Sequence, residues 1–148
     1  MKTIVALIDY SDLTNRIVDQ AVQLSKAFQS KLILLHVVPE EPAVVELGLA
    51  SPTVLKPASE QKVEKDYHKL LELRDSLASS GANVLVQQLE QGGVRKVLEQ
   101  CRALETDLIV MGSHHHSALY HLLVGTFTSD VLKRATCPVM VIPAEEKK

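Results

Sequence analysis

Hydrophobic positions along this chain follow two alternating patterns. Short continuous apolar runs occur at residues 3–8 (TIVALI), 31–38 (KLILLHVV), 108–111 (LIVM) and 138–142 (PVMVI). Runs of this kind suit strands covered on both faces. A fifth segment, 83–89, alternates Val84 and Val86 against Gln87 and Gln88, which predicts a less buried strand. Between these runs apolar residues recur at helical spacing. Leu13, Ile17, Ala21, Leu24 and Phe28 form one stripe behind Ser11 and Asp12, which offer N-cap chemistry. Residues 59–80 form a charged amphipathic helix with Val63, Tyr67, Leu70, Leu71 and Leu77 on its buried side and Gly81 past its end. Gly92-Gly93 opens a third helix carrying Val94, Val97, Leu98, Cys101 and Leu104, and a fourth is predicted over 125–135.

Strand and helix alternate along the chain, so one α/β domain over residues 1–148 is expected. Its core is an open five-stranded parallel sheet with helices on both faces, in the order 3-2-1-4-5. Ligands of such sheets bind outside the strand carboxyl ends, where the strand order reverses. Here that point lies between the first and fourth strands, which end at Leu7-Ile8-Asp9 and Met111-Gly112. One long connection, 39–58, carries four prolines and a possible helical turn over 44–49. Connections of this length are usually functional.

The segment 107–132 carries the candidate chemistry. Its strand breaks at Gly112, passes His114, His115 and His116, and reaches Gly125-Thr126, where the last helix is expected to open. A helix N-terminus facing a glycine-bearing loop holds phosphate through backbone N–H groups and the helix dipole. Ordinary helix initiation would explain Gly125-Thr126 alone; Gly112 opposite favours phosphate. Asp9 is either a turn residue or a ligand contact at a strand mouth. His114, His115, His116 and His121 invite a metal reading, but adjacent side chains in an extended loop diverge, and no carboxylate or cysteine stands at zinc spacing. No metal site is expected. Neither G-x-x-x-x-G-K-[ST] nor G-x-S-x-G is present, so neither a Walker-type NTPase nor an α/β-hydrolase is supported.

A formal net charge of -2 makes no electrostatic case for nucleic acid or an anionic membrane, and 3% aromatic residues without Trp argue against a base-stacking surface. The apolar start is interrupted by Asp9 and Asp12, and no run approaches the roughly 20 residues of a membrane span. A cytoplasmic protein with Cys101 and Cys137 reduced is expected.

Together these residues resemble the universal stress protein family. Its nucleotide-binding members carry G-x2-G-x9-G-[ST]; Gly112 fits the first glycine and Gly125-Thr126 the last pair, while His115 stands at the middle glycine. The start through Asp9 and Ser11, the run LLHVV at 34–38 and CPVMVIP at 137–143 match the family across nearly the whole chain. The resemblance implies an adenine nucleotide alpha hydrolase-like fold and a stress-response or regulatory module binding ATP or AMP, with or without Mg2+. At most slow ATP hydrolysis is implied. Leu7, Ile8 and Asp9 would border the adenosine, and the backbone of Val37 the adenine edge. Met111, Gly112 and His114 would line the ribose side, His115 would stand close to the nucleotide at the middle-glycine position, and Gly125, Thr126, Phe127 and Thr128 would donate to phosphates. The last strand, Pro138, Val139, Met140, Val141 and Ile142, would pair across a homodimer. The alternative is a dimeric interaction protein of the same fold that has lost the nucleotide.

Overall fold

The computed structural model describes residues 1–43, 54–113 and 121–144, and side chains outside 41–55 and 121–126. The elements run β1 (Thr3–Ile8), α1 (Thr14–Phe28), β2 (Lys31–Val37), β3 (Glu41–Ala43), β4 (Val54–Lys56), α2 (Glu60–Ala78), β5 (Val84–Leu89), α3 (Val94–Ala103), β6 (Leu108–Gly112), α4 (His121–Arg134) and β7 (Val139–Ile142). Five strands form one sheet in the order β5-β2-β1-β6-β7. Every pairing in it is parallel, which is the expected 3-2-1-4-5 arrangement.

The period-two alternation of each strand sorts its side chains between two cores. Ile4, Ala6, Ile8, Leu32 and Leu34 pack beneath α1 and α2, with Ile17, Ala21 and Leu70. Val5, Ile33, Leu35, Ile109 and Met111 pack beneath α3 and α4, with Val97, Leu98 and Val131. Because both faces are covered, the central strands are apolar at nearly every position. Among the described residues, no helix is long and apolar enough to cross a membrane.

Three local expectations are corrected, and one falls outside the described residues. The long connection contains β3 and β4, an antiparallel pair in register Glu41↔Lys56 to Ala43↔Val54; the helical turn expected over 44–49 lies outside the described residues. On α2, Asp66 is buried and Tyr67 is 41% exposed, so the sheet-facing side runs Asp66, Leu70, Leu73 and Leu77. Leu13 directly precedes α1 and offers no side-chain cap; Ser11 Oγ instead accepts the Leu13 N–H at 3.2 Å, within the turn before the helix. Finally, α4 starts at His121, so Gly125 and Thr126 lie in its second turn and not at its opening.

Candidate functional site

The crevice arises where β1 and β6 stop pairing. Their ladder runs from Ile4↔Leu108 to Ala6↔Val110. Both strands continue beyond it: β1 as Leu7 and Ile8, held by β2, and β6 as Met111 and Gly112, held by β7. The two backbones therefore part at their carboxyl ends, at the switch point of the sheet. On the other side of β1, the last ladder pair with β2 is Ile8↔His36, and Val37 extends one residue past it. The ends of β1, β2 and β6 thus frame one mouth.

The expected residues occupy this frame unequally. Asp9 is exposed just past β1, and its Oδ1 accepts the Ser11 N–H at 2.9 Å. This ties the carboxylate into the turn before α1 while leaving it at the mouth. Ile8 and Met111 are buried, with their side chains in opposite cores, and Leu7 packs with Met111 against the α3/α4 face. Leu7, Ile8 and Met111 therefore present mainly backbone to the crevice. Gly112 is extended strand backbone and not left-handed, so no positive φ calls for a glycine there. The missing side chain instead lets Leu13, just before α1, and Ile17 of α1 press against the strand.

Phe127 packs into the α3/α4 core, so its ring is not offered to the crevice. Thr128 lies nearer the mouth, where its hydroxyl donates to the Gly112 carbonyl oxygen at 3.4 Å and ties α4 to the end of β6. The same strand end is held from below: Ser113 N–H donates to the Ile142 carbonyl oxygen at 3.0 Å, and Ser113 Oγ accepts the Ala144 N–H at 3.2 Å. Because α4 begins at His121, the N–H groups of Gly125, Thr126, Phe127 and Thr128 fall within the helix, where i→i−4 bonding takes up such donors. His114 and His115 lie outside the described residues.

Sequence reading did not single out the polar residues beneath this mouth. Tyr10, His36 and Asp66 converge under Asp9: Tyr10 Oη donates to the Asp66 carbonyl oxygen at 2.6 Å, and His36 lies between Ile8 and Asp66. Two signals were available. His36 interrupts an otherwise apolar strand, and Asp66 falls on the apolar stripe between Val63 and Leu70. At the opposite end of the sheet, Asp107 Oδ2 accepts the backbone N–H groups of Lys2 and Thr3 at 2.7 and 2.9 Å. Those bonds hold the Asp107 carboxyl below the ordinary range. Cys101 is buried beside α4's core face, and burial, then the nearby Cys137, pushes its thiol up to about 11. This matches a structural cysteine and not a nucleophile.

Among the described residues the crevice can therefore offer strand-end backbone groups, the exposed Asp9 carboxylate, able to accept from hydroxyls, and the Thr128 hydroxyl. A universal stress protein of Methanocaldococcus jannaschii is 27% identical over 147 residues, covering 99% of this chain and 85% of that protein. The universal stress protein YxiE of Bacillus subtilis is 30% identical over 141 residues, covering 91% of this chain and 94% of that one. Among solved structures, the universal stress protein UspA from Lactobacillus plantarum superposes with a TM-score of 0.71 at 21% identity, covering 95% and 97% of the two chains. A universal stress protein in complex with cAMP gives 0.69 at 22%, covering 96% of each chain. One from Archaeoglobus fulgidus in complex with dAMP gives 0.67 at 17%, covering 96% and 97%. The model of the universal stress protein family matches residues 1–143, and the chain belongs to that family.

Proposed function

We propose that this chain is a single-domain, cytoplasmic stress-response or regulatory module that binds an adenine nucleotide, ATP or AMP, between the ends of β1 and β6. The observation that carries the reading is the parting of those two strands after Ala6↔Val110, with Asp9 and Gly112 on its two sides. The cAMP and dAMP complexes of fold relatives support an adenine ring with a single phosphate as the minimum ligand. Asp9 would accept from ribose hydroxyls, the Val37 backbone would meet the adenine edge, and Gly112 and Thr128 would face phosphate. A triphosphate would bring Mg2+ with it.

The fold leaves β7 at one edge of the sheet. The carbonyls of Pro138 and Ile142 both bond to β6, so by strand alternation the backbone groups of Val139 and Val141 point outward. An apolar edge with free donors and acceptors is an association surface. Pairing with a twofold copy would close it, giving the homodimer.

One observation favours the alternative, a dimeric interaction protein that has lost its nucleotide. With α4 beginning at His121, the helix N-terminus is displaced from Gly125-Thr126, the pair expected to hold phosphate. The two readings separate by mass spectrometry of nucleotide released from freshly purified protein, followed by calorimetric titration with AMP and ATP. Binding of either nucleotide at micromolar concentration supports the first; no heat and no co-purified nucleotide overturn it.

A further inference from the structure

A buried polar chain lies directly beneath the crevice, and nucleotide contact alone leaves it without a role. His36 is 1% exposed and Asp66 0%. His36 Nδ1 lies 2.6 Å from the Ile8 carbonyl oxygen, and a carbonyl oxygen only accepts, so Nδ1 carries a proton. His36 Nε2 lies 3.0 Å from Asp66 Oδ2, and Asp66 Oδ1 accepts from Lys62 Nζ at 3.0 Å. Burial acts to raise the Asp66 pKa, but hydrogen bonds and charge from His36 and Lys62 outweigh it and hold the carboxyl below the ordinary range. An ionised Asp66 accepts at both oxygens, so His36 and Lys62 hold its side chain from two sides.

The fourth member is Tyr10. Its hydroxyl donates to the Asp66 backbone carbonyl, its ring lies on His36 with centroids 4.4 Å apart, and Lys69 Nζ sits 5.2 Å from its centroid. Tyr10 has φ 59°, a left-handed conformation that is uncommon for an aromatic residue. Backbone outliers of this kind persist only where the surroundings hold them, and they cluster at functional sites. Burying an ion pair is also no general route to stability, because well-packed apolar residues serve as well or better. What the chain of contacts does accomplish is local. Asp9 stands between two residues that are both clamped: Ile8 through its carbonyl, and Tyr10 through its hydroxyl and ring.

We propose that Tyr10, His36 and Asp66 are positioning residues for the crevice: they fix the backbone on both sides of Asp9 and make its presentation depend on the docking of α2. This rests on the nucleotide reading above. It also links the mouth to the long connection between β2 and α2, because β4 leads into α2 within four residues. Orienting partners of this kind act without touching the ligand, and their loss weakens binding while the fold persists.

The test combines a ligand-free and a ligand-bound readout on the full chain. Asp66→Asn should speed amide exchange at Ser11, whose N–H donates to Asp9 Oδ1, about tenfold while β2 amides keep their protection. It should also weaken AMP binding about tenfold in calorimetry, the lower end of the cost of losing an orienting partner. In an Asp9→Asn background that second loss should vanish, because the effect runs through Asp9. Tyr10→Phe, which removes only the hydroxyl, should move both readouts the same way by about threefold, and serves if Asp66→Asn fails to fold. Unchanged Ser11 exchange in a folded variant overturns the proposal, as does an equal loss of AMP affinity with and without Asp9. Wild-type protein that binds no AMP overturns the nucleotide reading instead, and Ser11 exchange then decides by itself whether these residues fix Asp9.

Discussion

Leu13 occupies the space that a side chain at Gly112 would need. A Cβ at Gly112 would lie 2.9 Å from Leu13 Cδ1 and 3.3 Å from Ile17 Cδ1. Both are ends of buried side chains in the α1 core, so they can yield, though only by repacking. Gly112→Ala should therefore lower stability by about 1–2 kcal/mol, the cost of modest overpacking. Urea denaturation reads this directly. Leu13→Val in the same background should recover part of the loss, and an unchanged midpoint in the single variant would mean that α1 shifts freely at this strand.

Asp66 should make the protein sensitive to acid. Its folded pKa lies below the ordinary 3.8, because His36 and Lys62 overcome the effect of burial. A depressed carboxyl contributes stability that is complete above the unfolded value and is lost as pH falls toward the folded one. Stability should thus fall as pH drops from about 4 toward the depressed value. Asp107 is shifted in the same direction by the N–H groups of Thr3 and Lys2 and adds to the slope. The Asp66 share is isolated by comparing wild type with Asp66→Asn in urea melts between pH 5 and pH 2, with about those limits set by the ordinary carboxylate range. The variant should be less stable at neutral pH and show a shallower acid slope; parallel curves would assign the slope elsewhere.

His115 stands where the family pattern has its middle glycine. If a nucleotide requires left-handed backbone there, a Cβ costs about 1–2 kcal/mol, which weakens binding roughly five- to thirty-fold. His115→Gly should accordingly bind ATP more tightly, by calorimetry at one pH and one salt concentration. Equal affinity would show that the loop tolerates the ring. Weaker binding by the glycine variant would make the imidazole a ligand contact.

Val141 should be the most informative position for assembly. Its backbone faces away from β6 at the outer edge of the sheet. Proline there removes an outward N–H and leaves the β6 ladder its donors, which edge strands tolerate. Val141→Pro should convert a dimer to monomer in light scattering while far-ultraviolet circular dichroism stays native. Met140→Lys is a poorer probe, because Met140 packs against the α1/α2 core as well. A dimer that survives Val141→Pro would place the interface elsewhere.

Periodicity by itself determined the architecture of this chain. Runs such as TIVALI and KLILLHVV leave no polar face, so each strand must be covered twice, and the intervening stripes supply the covering helices. From that alternation the parallel sheet follows; its order, one of the few that right-handed crossovers allow, sets the crevice at Asp9 and Gly112. Tertiary structure decided what each residue does there. Gly112 reads as a turn glycine in one dimension, yet it is extended and serves close packing, because Leu13 approaches only once α1 crosses β6. The start of α4 at His121 was illegible because helix boundaries depend on local context more than on one glycine-hydroxyl pair. The clamp on Asp9 joins Tyr10, His36 and Asp66, residues from three elements far apart in sequence. No periodicity encodes such a contact: a buried charge is tolerable only where its partners arrive together, and folding alone brings them there.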